Sequence, residues 1–145
     1  IIDAWIDADG KETPQTRPEG VRVISEATAK TLTEMLIGVT QEGGTAESAS
    51  INGYLVAGKT GTTEILTDDS TVASFVGFLP ARNPALAIAV IVNRPEGIFG
   101  GTVAAPVFRE VALAAMQALN IAPDPNVVAA QAARNGAGGE RDASQ

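Results

Sequence analysis

Residues 53–60 read Gly53-Tyr54-Leu55-Val56-Ala57-Gly58-Lys59-Thr60, and Gly61-Thr62 follows at once. As text, the first eight fit a phosphate-binding loop, G-x-x-x-x-G-K-[ST]. That loop makes structural demands. A strand must lead into the first glycine, the residues between the glycines must stay open with their N–H groups inward, and a helix must start at Lys-Thr so that its N-terminus meets the phosphates. Ala46 to Asn52 is small and polar, a poor strand. Tyr54-Leu55-Val56-Ala57 is strand-like, and Gly61 with the β-prone Thr62 and Thr63 would fall in the first helical turn. The strand best placed to end in a magnesium-binding aspartate ends in Asn93 instead. The nucleotide reading fails, and Tyr54 to Thr60 is read as a strand.

The flanking segments build outward from that strand. Ile1 to Asp7 alternates weakly and runs into Asp9-Gly10, a strand and a turn. Lys11 to Gly20, with Pro14 and Pro18, reads as a loop. Ser25 suits an N-cap, with Glu26 in the first turn to meet the helix dipole. Ala29, Leu32, Leu36 and Val39 follow at helical spacing with Met35 beside them, until Gly43-Gly44 stops the helix. Thr71 to Phe78 is a second strand, stopped by Pro80 and the turn Ala81 to Pro84. Leu86 to Asn93 is a third, large on its even positions and small at Ala87 and Ala89. It is expected to be central, with helices packed close on the alanine side. Ile98 to Gly101 is a loop, and Pro106 suits the first turn of a last helix whose face holds Phe108, Val111, Ala112, Ala115 and Leu119. Trp5 is expected in the core. The short connections Gly61 to Ser70 and Leu79 to Ala85 leave no room for crossover helices, so neighbouring strands are antiparallel. The fold class is α+β, an antiparallel sheet with packed helices.

Composition narrows the chemistry. The 145 residues are 45% hydrophobic and 19% charged, enough for one ordinary domain with a core of Val, Ile, Leu and Ala, since aromatics make up only 4%. The net charge of −7 argues against a nucleic-acid partner, which would call for a basic face. There is neither cysteine nor histidine. Disulfides, a cysteine nucleophile, a Ser-His-Asp triad and the usual His-based zinc sites cannot be assembled from these residues. The longest apolar run, Ala85 to Val92, is far short of the roughly 20 residues of a spanning helix. The sequence opens Ile1-Ile2-Asp3 without a methionine and reads as a piece of a longer protein.

What remains of the opening stretch is Lys59-Thr60-Gly61-Thr62. A Lys-Thr-Gly tripeptide arises by composition in roughly one chain in thirty of this length, so alone it would mark only a strand ending in a solvated lysine. Its surroundings raise it above that. Val56 to Thr62 resembles the third active-site motif of class B penicillin-binding proteins, a motif of serine enzymes acting on acyl groups. "RVISEATAKTL" (Arg22 to Leu32) and "GVTQEGGTA" (Gly38 to Ala46) resemble the opening of a helix in that family and the helix end that follows it. "ASFVGFLPARNPALAIAVIV" (Ala73 to Val92) resembles its next two strands, and "GGTVAAPVFREV" (Gly100 to Val111) with "LNIAPD" (Leu119 to Asp124) its last helix. The likeness covers residues 1–125 and is nearest to division-type, actinobacterial-like members. Residues 126–145, rich in Ala and Gly, are expected to be a disordered tail.

The resemblance implies a partial penicillin-binding/serine β-lactamase-like transpeptidase fold and a peptidoglycan D,D-transpeptidase in septal cell-wall synthesis. It implies catalytic roles for Lys59 and Thr62, with the Thr62 N–H as half of an oxyanion hole, and substrate binding by Thr60, Gly61 and Thr62. Gly61, lacking a Cβ, would let a ligand approach closely. No cofactor and no metal are implied. The partners implied are peptidoglycan stem peptides, β-lactams, the N-terminal remainder of the same domain and division proteins. The setting implied is the outer face of the cell membrane, by way of an anchor on the parent protein. The family's Ser-x-x-Lys is absent: three residues before Lys11, Lys30 and Lys59 stand Ala8, Ala27 and Val56. The nucleophile is therefore expected N-terminal to Ile1, and the 145 residues alone are expected to be inactive. Ser50-Ile51-Asn52 matches the second motif, Ser-x-Asn, only literally, because it lies too close to Lys59. Phe99-Gly100-Gly101 falls where the family's loop meets the cleft rim, and is equally readable as packing on the last helix. A partner-binding module without catalysis and a serine β-lactamase-like hydrolase stand as alternatives. The matches at Gly38 to Ala46 and Gly100 to Val111 favour the transpeptidases.

Overall fold

The computed structural model of the chain describes residues 4–15, 20–65, 70–95 and 100–139. Strands β1 (Ala4–Ile6) and β2 (Glu12–Pro14) come first, then helix α1 (Glu26–Gly38) and a short 3-10 turn, Glu47–Ala49. Strands β3 (Ala57–Ile65), β4 (Ser70–Leu79) and β5 (Leu86–Asn93) follow, and helices α2 (Gly100–Ala118) and α3 (Pro125–Gly139) close the order. The main sheet runs β3-β4-β5 and is antiparallel throughout, with Lys59 opposite Val76 and Gly77 opposite Ile88. The α+β class and the antiparallel neighbours expected from the sequence are borne out.

The core lies between one face of this sheet and α2. Phe75 of β4 meets Phe108 of α2 edge to face, with ring centroids 4.8 Å apart at 72°, the geometry that aromatic quadrupoles favour. Two glycines make room for these rings. A Cβ on Gly58 would lie 2.4 Å from Phe75 Cζ, and one on Gly77 would lie 3.0 Å from Phe108 Cζ. The small residues Ala104, Ala105 and Ala112 let α2 approach closely, and Met116 continues its buried stripe. Val111 and Leu119, expected on that face, are exposed. The stripe runs through Ala105, Phe108, Ala112 and Met116, which puts Val111 and Leu119 on its flank. The helix also starts earlier than Pro106 suggests. Gly100 and Gly101 belong to its first turn, and Pro106 sits inside it, an N–H short of a full ladder.

Strand β5 is the edge of the sheet among the described residues, not its centre. Leu86, Ile88 and Val90 pack into the core beneath α2, while Ala87 and Ala89 face outward. The helix therefore covers the large side chains, because their volume fills the layer between sheet and α2. The alanine face stays open, as does Ile91, which is 69% exposed.

Helix α1 packs on the other face, against β3, through Ile37, which clusters with Ala57 and Ala81. Its N-terminus is as the sequence implies: Ser25 Oγ accepts from the Thr28 N–H at 3.0 Å. Its C-terminus is not. The helix stops at Gly38, and Thr40 turns inward. The Thr40 hydroxyl, fully buried, lies 2.8 Å from the Val56 carbonyl and 3.1 Å from that of Ile37. Gly43, at φ 74°, and Gly44, whose Cβ would strike the Val39 carbonyl at 2.3 Å, shape the turn beyond. The packing stripe is accordingly Ala29, Leu36, Ile37 and Thr40, and Leu32 and Met35 point to solvent. Arg82 forks onto the exposed Glu34 carboxylate at 3.0 and 3.2 Å, and these hydrogen bonds hold the carboxyl below its usual range.

Further expectations change. Glu12–Pro14 is a strand rather than loop, paired with Ala4–Ile6 around a turn in which Asp7 Oδ1 accepts from the N–H groups of Asp9 and Lys11. No other described element packs on this hairpin, so Trp5 is 57% exposed instead of core. Tyr54 is not in β3: it bridges only to Ile51, across a turn at Gly53 with φ 81°. The strand begins at Ala57 and runs on through Gly61 to Ile65, past the point where a turn was expected, because β4 is long enough to pair with all of it. Lastly, α3 occupies most of the expected tail. Pro125 stands at its first position, Asp124 Oδ1 accepts from the Asn126 N–H, and the alanines that follow favour helix. Residues 1–3, Phe99 and the remainder of the tail, 140–145, lie outside the described residues.

Replacing Thr40 by Val keeps the volume and removes the hydroxyl that ties α1 to the Val56 carbonyl. The expected outcome is a loss of about 1–3 kcal/mol, read as a lower urea midpoint at unchanged slope. An unchanged midpoint would contradict the role given to Thr40.

Candidate active site

Successive residues of a strand point to opposite faces, and in β3 this sorts the motif into two sets. Gly58, Thr60 and Thr62 lie on the α2 face. Lys59 and Gly61 lie on the α1 face, opposite Val76 and Ser74. The backbone alternates as well. Ser74 Oγ donates to the Gly61 carbonyl at 3.3 Å, so Gly61 turns its carbonyl toward β4. Lys59 Nζ donates to the Thr60 carbonyl at 2.9 Å and lies 3.2 Å from Thr60 Oγ1. Thr60, and Thr62 two residues on, therefore direct their N–H and C=O groups away from β4, along the outer edge of the sheet. Lys59 is exposed and reaches around that edge, so its ammonium, the Thr60 hydroxyl and the outward backbone of Thr60 and Thr62 lie along one line.

Gly61 also has a reason within the sheet itself. A Cβ there would lie 2.6 Å from Ser74 Oγ. The close neighbour is the cross-strand serine of the sheet itself. The glycine lets that hydroxyl hold the Gly61 carbonyl from the side.

The start of α2 closes on the same strand. A Cβ on Gly101 would lie 2.1 Å from the Thr45 carbonyl and 3.5 Å from Thr60 Cγ2. Ser48 Oγ donates to the Gly101 carbonyl at 2.8 Å. Only a glycine at 101 permits this seating, which brings the first turn of α2 beside Thr60. Sequence reading missed Ser48, Ser74 and Thr40. None carries a motif, and each acts through a partner distant in sequence. Ser50-Ile51-Asn52 builds the turn ahead of β3, with Ile51 buried and the Ser50 carbonyl accepting from Arg109 Nε at 3.1 Å. No group of three or more acidic side chains able to hold a metal ion is present among the described residues. No helix among them is long and apolar enough to cross a membrane.

Comparison with known proteins places the chain in a family. Residues 1–113 match the family model of the penicillin binding protein transpeptidase domain. The chain is 39% identical over 119 residues to the probable peptidoglycan D,D-transpeptidase PenA of Neisseria flavescens, covering 77% of this chain and 30% of that one. It is 37% identical over 143 residues to penicillin-binding protein PbpB of Mycolicibacterium smegmatis, covering 86% and 22%. The transpeptidase domain of penicillin-binding protein 3 from Burkholderia pseudomallei superposes with a TM-score of 0.68 at 36% identity, over 77% of this chain and 37% of that one. The chain belongs to the transpeptidase-domain family of the class B penicillin-binding proteins. It spans less than a third of the two curated relatives named here.

The Gly61–Ser74 contact is open to a double-mutant test. Gly61→Ala forces the Ser74 hydroxyl to swing off the Gly61 carbonyl, a cost of about 0.5–1.5 kcal/mol in urea unfolding. In a Ser74→Ala background the added methyl meets only the Cβ of residue 74, at an ordinary contact distance of 4.0 Å, and the cost falls. An equal cost in both backgrounds would contradict the contact.

Proposed function

We propose that this chain forms one wall of the active site of a peptidoglycan D,D-transpeptidase, the wall built by β3. The observation that carries the reading is the outer edge of β3, where Lys59 Nζ, the Thr60 hydroxyl and the outward backbone of Thr60 and Thr62 line up in a chain of this family. A stem peptide with an extended backbone would add there as a further strand. Its terminal carboxylate would meet the hydroxyls of Thr60 and Thr62 and the positive charge of Lys59.

In the reaction, a serine oxygen attacks the carbonyl of the penultimate D-alanine. The terminal D-alanine leaves with the proton, and an amine of a neighbouring stem then displaces the serine from the acyl ester. The oxygen of the carbonyl under attack becomes negative in the transition state. The Thr62 N–H is the donor proposed to meet it. A preorganised donor of this kind contributes about 3–4 kcal/mol to transition-state stabilisation. Gly61 serves by keeping the strand flat against Ser74, so that Thr60 and Thr62 hold their aim. The serine and its lysine base are not among these 145 residues, in which no Ser-x-x-Lys occurs. In the proposed enzyme they come from the rest of the domain, packed on the Lys59 side of the sheet. β-Lactams would acylate the same serine. The proposed setting is septal cell-wall synthesis on the outer face of the membrane, through an anchor elsewhere in the protein.

Fluorescent penicillin tests this. The full-length protein is expected to be labelled covalently and stably, and the 145-residue chain alone is not. Lys59→Ala in the full-length protein is expected to slow acylation about 10²-fold or more, on the scale of a lost proton-transfer or charge-stabilising group. Rapid turnover of penicillin would indicate a hydrolase. Labelling of the isolated chain, or near-normal acylation of the Lys59 variant, would sink the assignment.

A further inference from the structure

The segment after α2 does something specific to the strand that carries the motif. It lies beyond residue 113, where the match to the family domain ends. It leaves α2 at Asn120, which has φ 54°, and passes through Ile121 to Asp124 into α3. Four hydrogen bonds join it to the turn at Ile51 to Tyr54. Gln131 Oε1 accepts from the Gly53 N–H at 2.8 Å, and Gln131 Nε2 donates to the Ile51 carbonyl at 3.2 Å. The Asp124 N–H donates to the Gly53 carbonyl at 2.9 Å, and the Tyr54 hydroxyl donates to the Ile121 carbonyl at 2.7 Å. One side-chain amide thus satisfies both a donor and an acceptor of the turn, as the peptide group of a neighbouring strand would. Packing reinforces the match. A Cβ on Gly53 would lie 2.5 Å from Pro123 Cβ and 3.1 Å from Val128 Cγ2, so the glycine surface is covered by the segment.

The turn is not a remote feature. Ile51 and Tyr54 are core residues, and the chain runs from Tyr54 through Leu55 and Val56 straight into β3. Val56 is held from the α1 side by Thr40. We infer that residues 121–134 form a strap whose Gln131 is a positioning residue: it fixes the turn at Ile51 to Tyr54, and through it the start of the strand bearing Lys59. Thr40 and the strap grip the same approach from opposite ends. The strap also explains why Gly53 is a glycine although it opens no phosphate loop. A left-handed turn there, closed under Pro123, admits no side chain.

This inference stands on geometry alone and does not depend on the transpeptidase reading. Amide hydrogen exchange by NMR on the 145-residue chain tests it, comparing wild type with Gln131→Ala and Gln131→Glu. Local opening is read site by site in such an experiment. In Gln131→Ala the Gly53 amide is expected to exchange about tenfold faster or more, the scale of one lost, partly buried hydrogen bond. The Lys59 and Thr60 amide resonances should shift with it, while exchange in β4 and β5 stays as in wild type. Gln131→Glu keeps an oxygen facing the Gly53 N–H and loses the donor to Ile51, so it should restore most of the Gly53 protection. Unchanged Gly53 exchange in Gln131→Ala would overturn the proposal. So would a rise spread evenly over all three strands, which would make Gln131 an ordinary contributor to stability, or a Gln131→Glu variant indistinguishable from Gln131→Ala.

Discussion

The ring of Phe75 sets the position of everything at the site. It lies where side chains on Gly58 and Gly77 would be, and it meets Phe108 edge to face. β3 therefore lies close against its neighbour at the residue just before Lys59, and α2 is held over the same point. A larger residue at position 58 would lift the strand off the ring and move Lys59 with it. The tight packing of protein interiors makes such a shift costly. The motif is thus anchored on its α2 side by an aromatic pair and on its α1 side by the Thr40 hydroxyl on Val56. Its outer edge faces no other described strand.

Around that anchor, the site is a meeting of segments far apart in sequence. Thr45 and Ser48 seat the first turn of α2 through Gly101, and Gly101 brings that turn to Thr60. Ser74 holds the Gly61 carbonyl from the next strand. Gln131, further along the chain, holds the turn that leads to β3. Apart from the Thr45 carbonyl, each of these groups is a polar side chain or a glycine, and the side chains of Ser48, Ser74 and Gln131 all work on backbone. What the protein keeps in order here is the direction of the peptide groups of Thr60 and Thr62, more than any side chain.

Some of this was legible in the sequence and some was not, for physical reasons. The strands with strong alternation or continuous apolar runs, β4 and β5, were placed to within a residue or two, and the short connection between them forced the antiparallel sheet. The Ser25 cap was legible because its chemistry is local. The side of β5 that the helix covers is not legible in the sequence, since both faces are apolar and only the volume available under α2 decides between them. The end of α1 is not legible either, because Thr40, an ordinary polar residue in the sequence, finds its partner in Val56 at the other end of a loop. The helical tail was missed because its composition is that of a linker, and its order comes from the turn it docks on. Lys59 to Thr62 stood out through the segments around it. The true neighbour of Gly61, Ser74, could be seen only once the strands were paired.

In the proposed enzyme the outer edge of β3 receives the acyl group. A crystal structure of the full-length protein acylated by penicillin tests it most directly. The acyl carbonyl oxygen is expected about 2.7–3.1 Å from the Thr62 nitrogen, with the drug carboxylate at the hydroxyls of Thr60 and Thr62. An adduct whose carbonyl points away from the β3 edge, with no contact to Thr62, would contradict it.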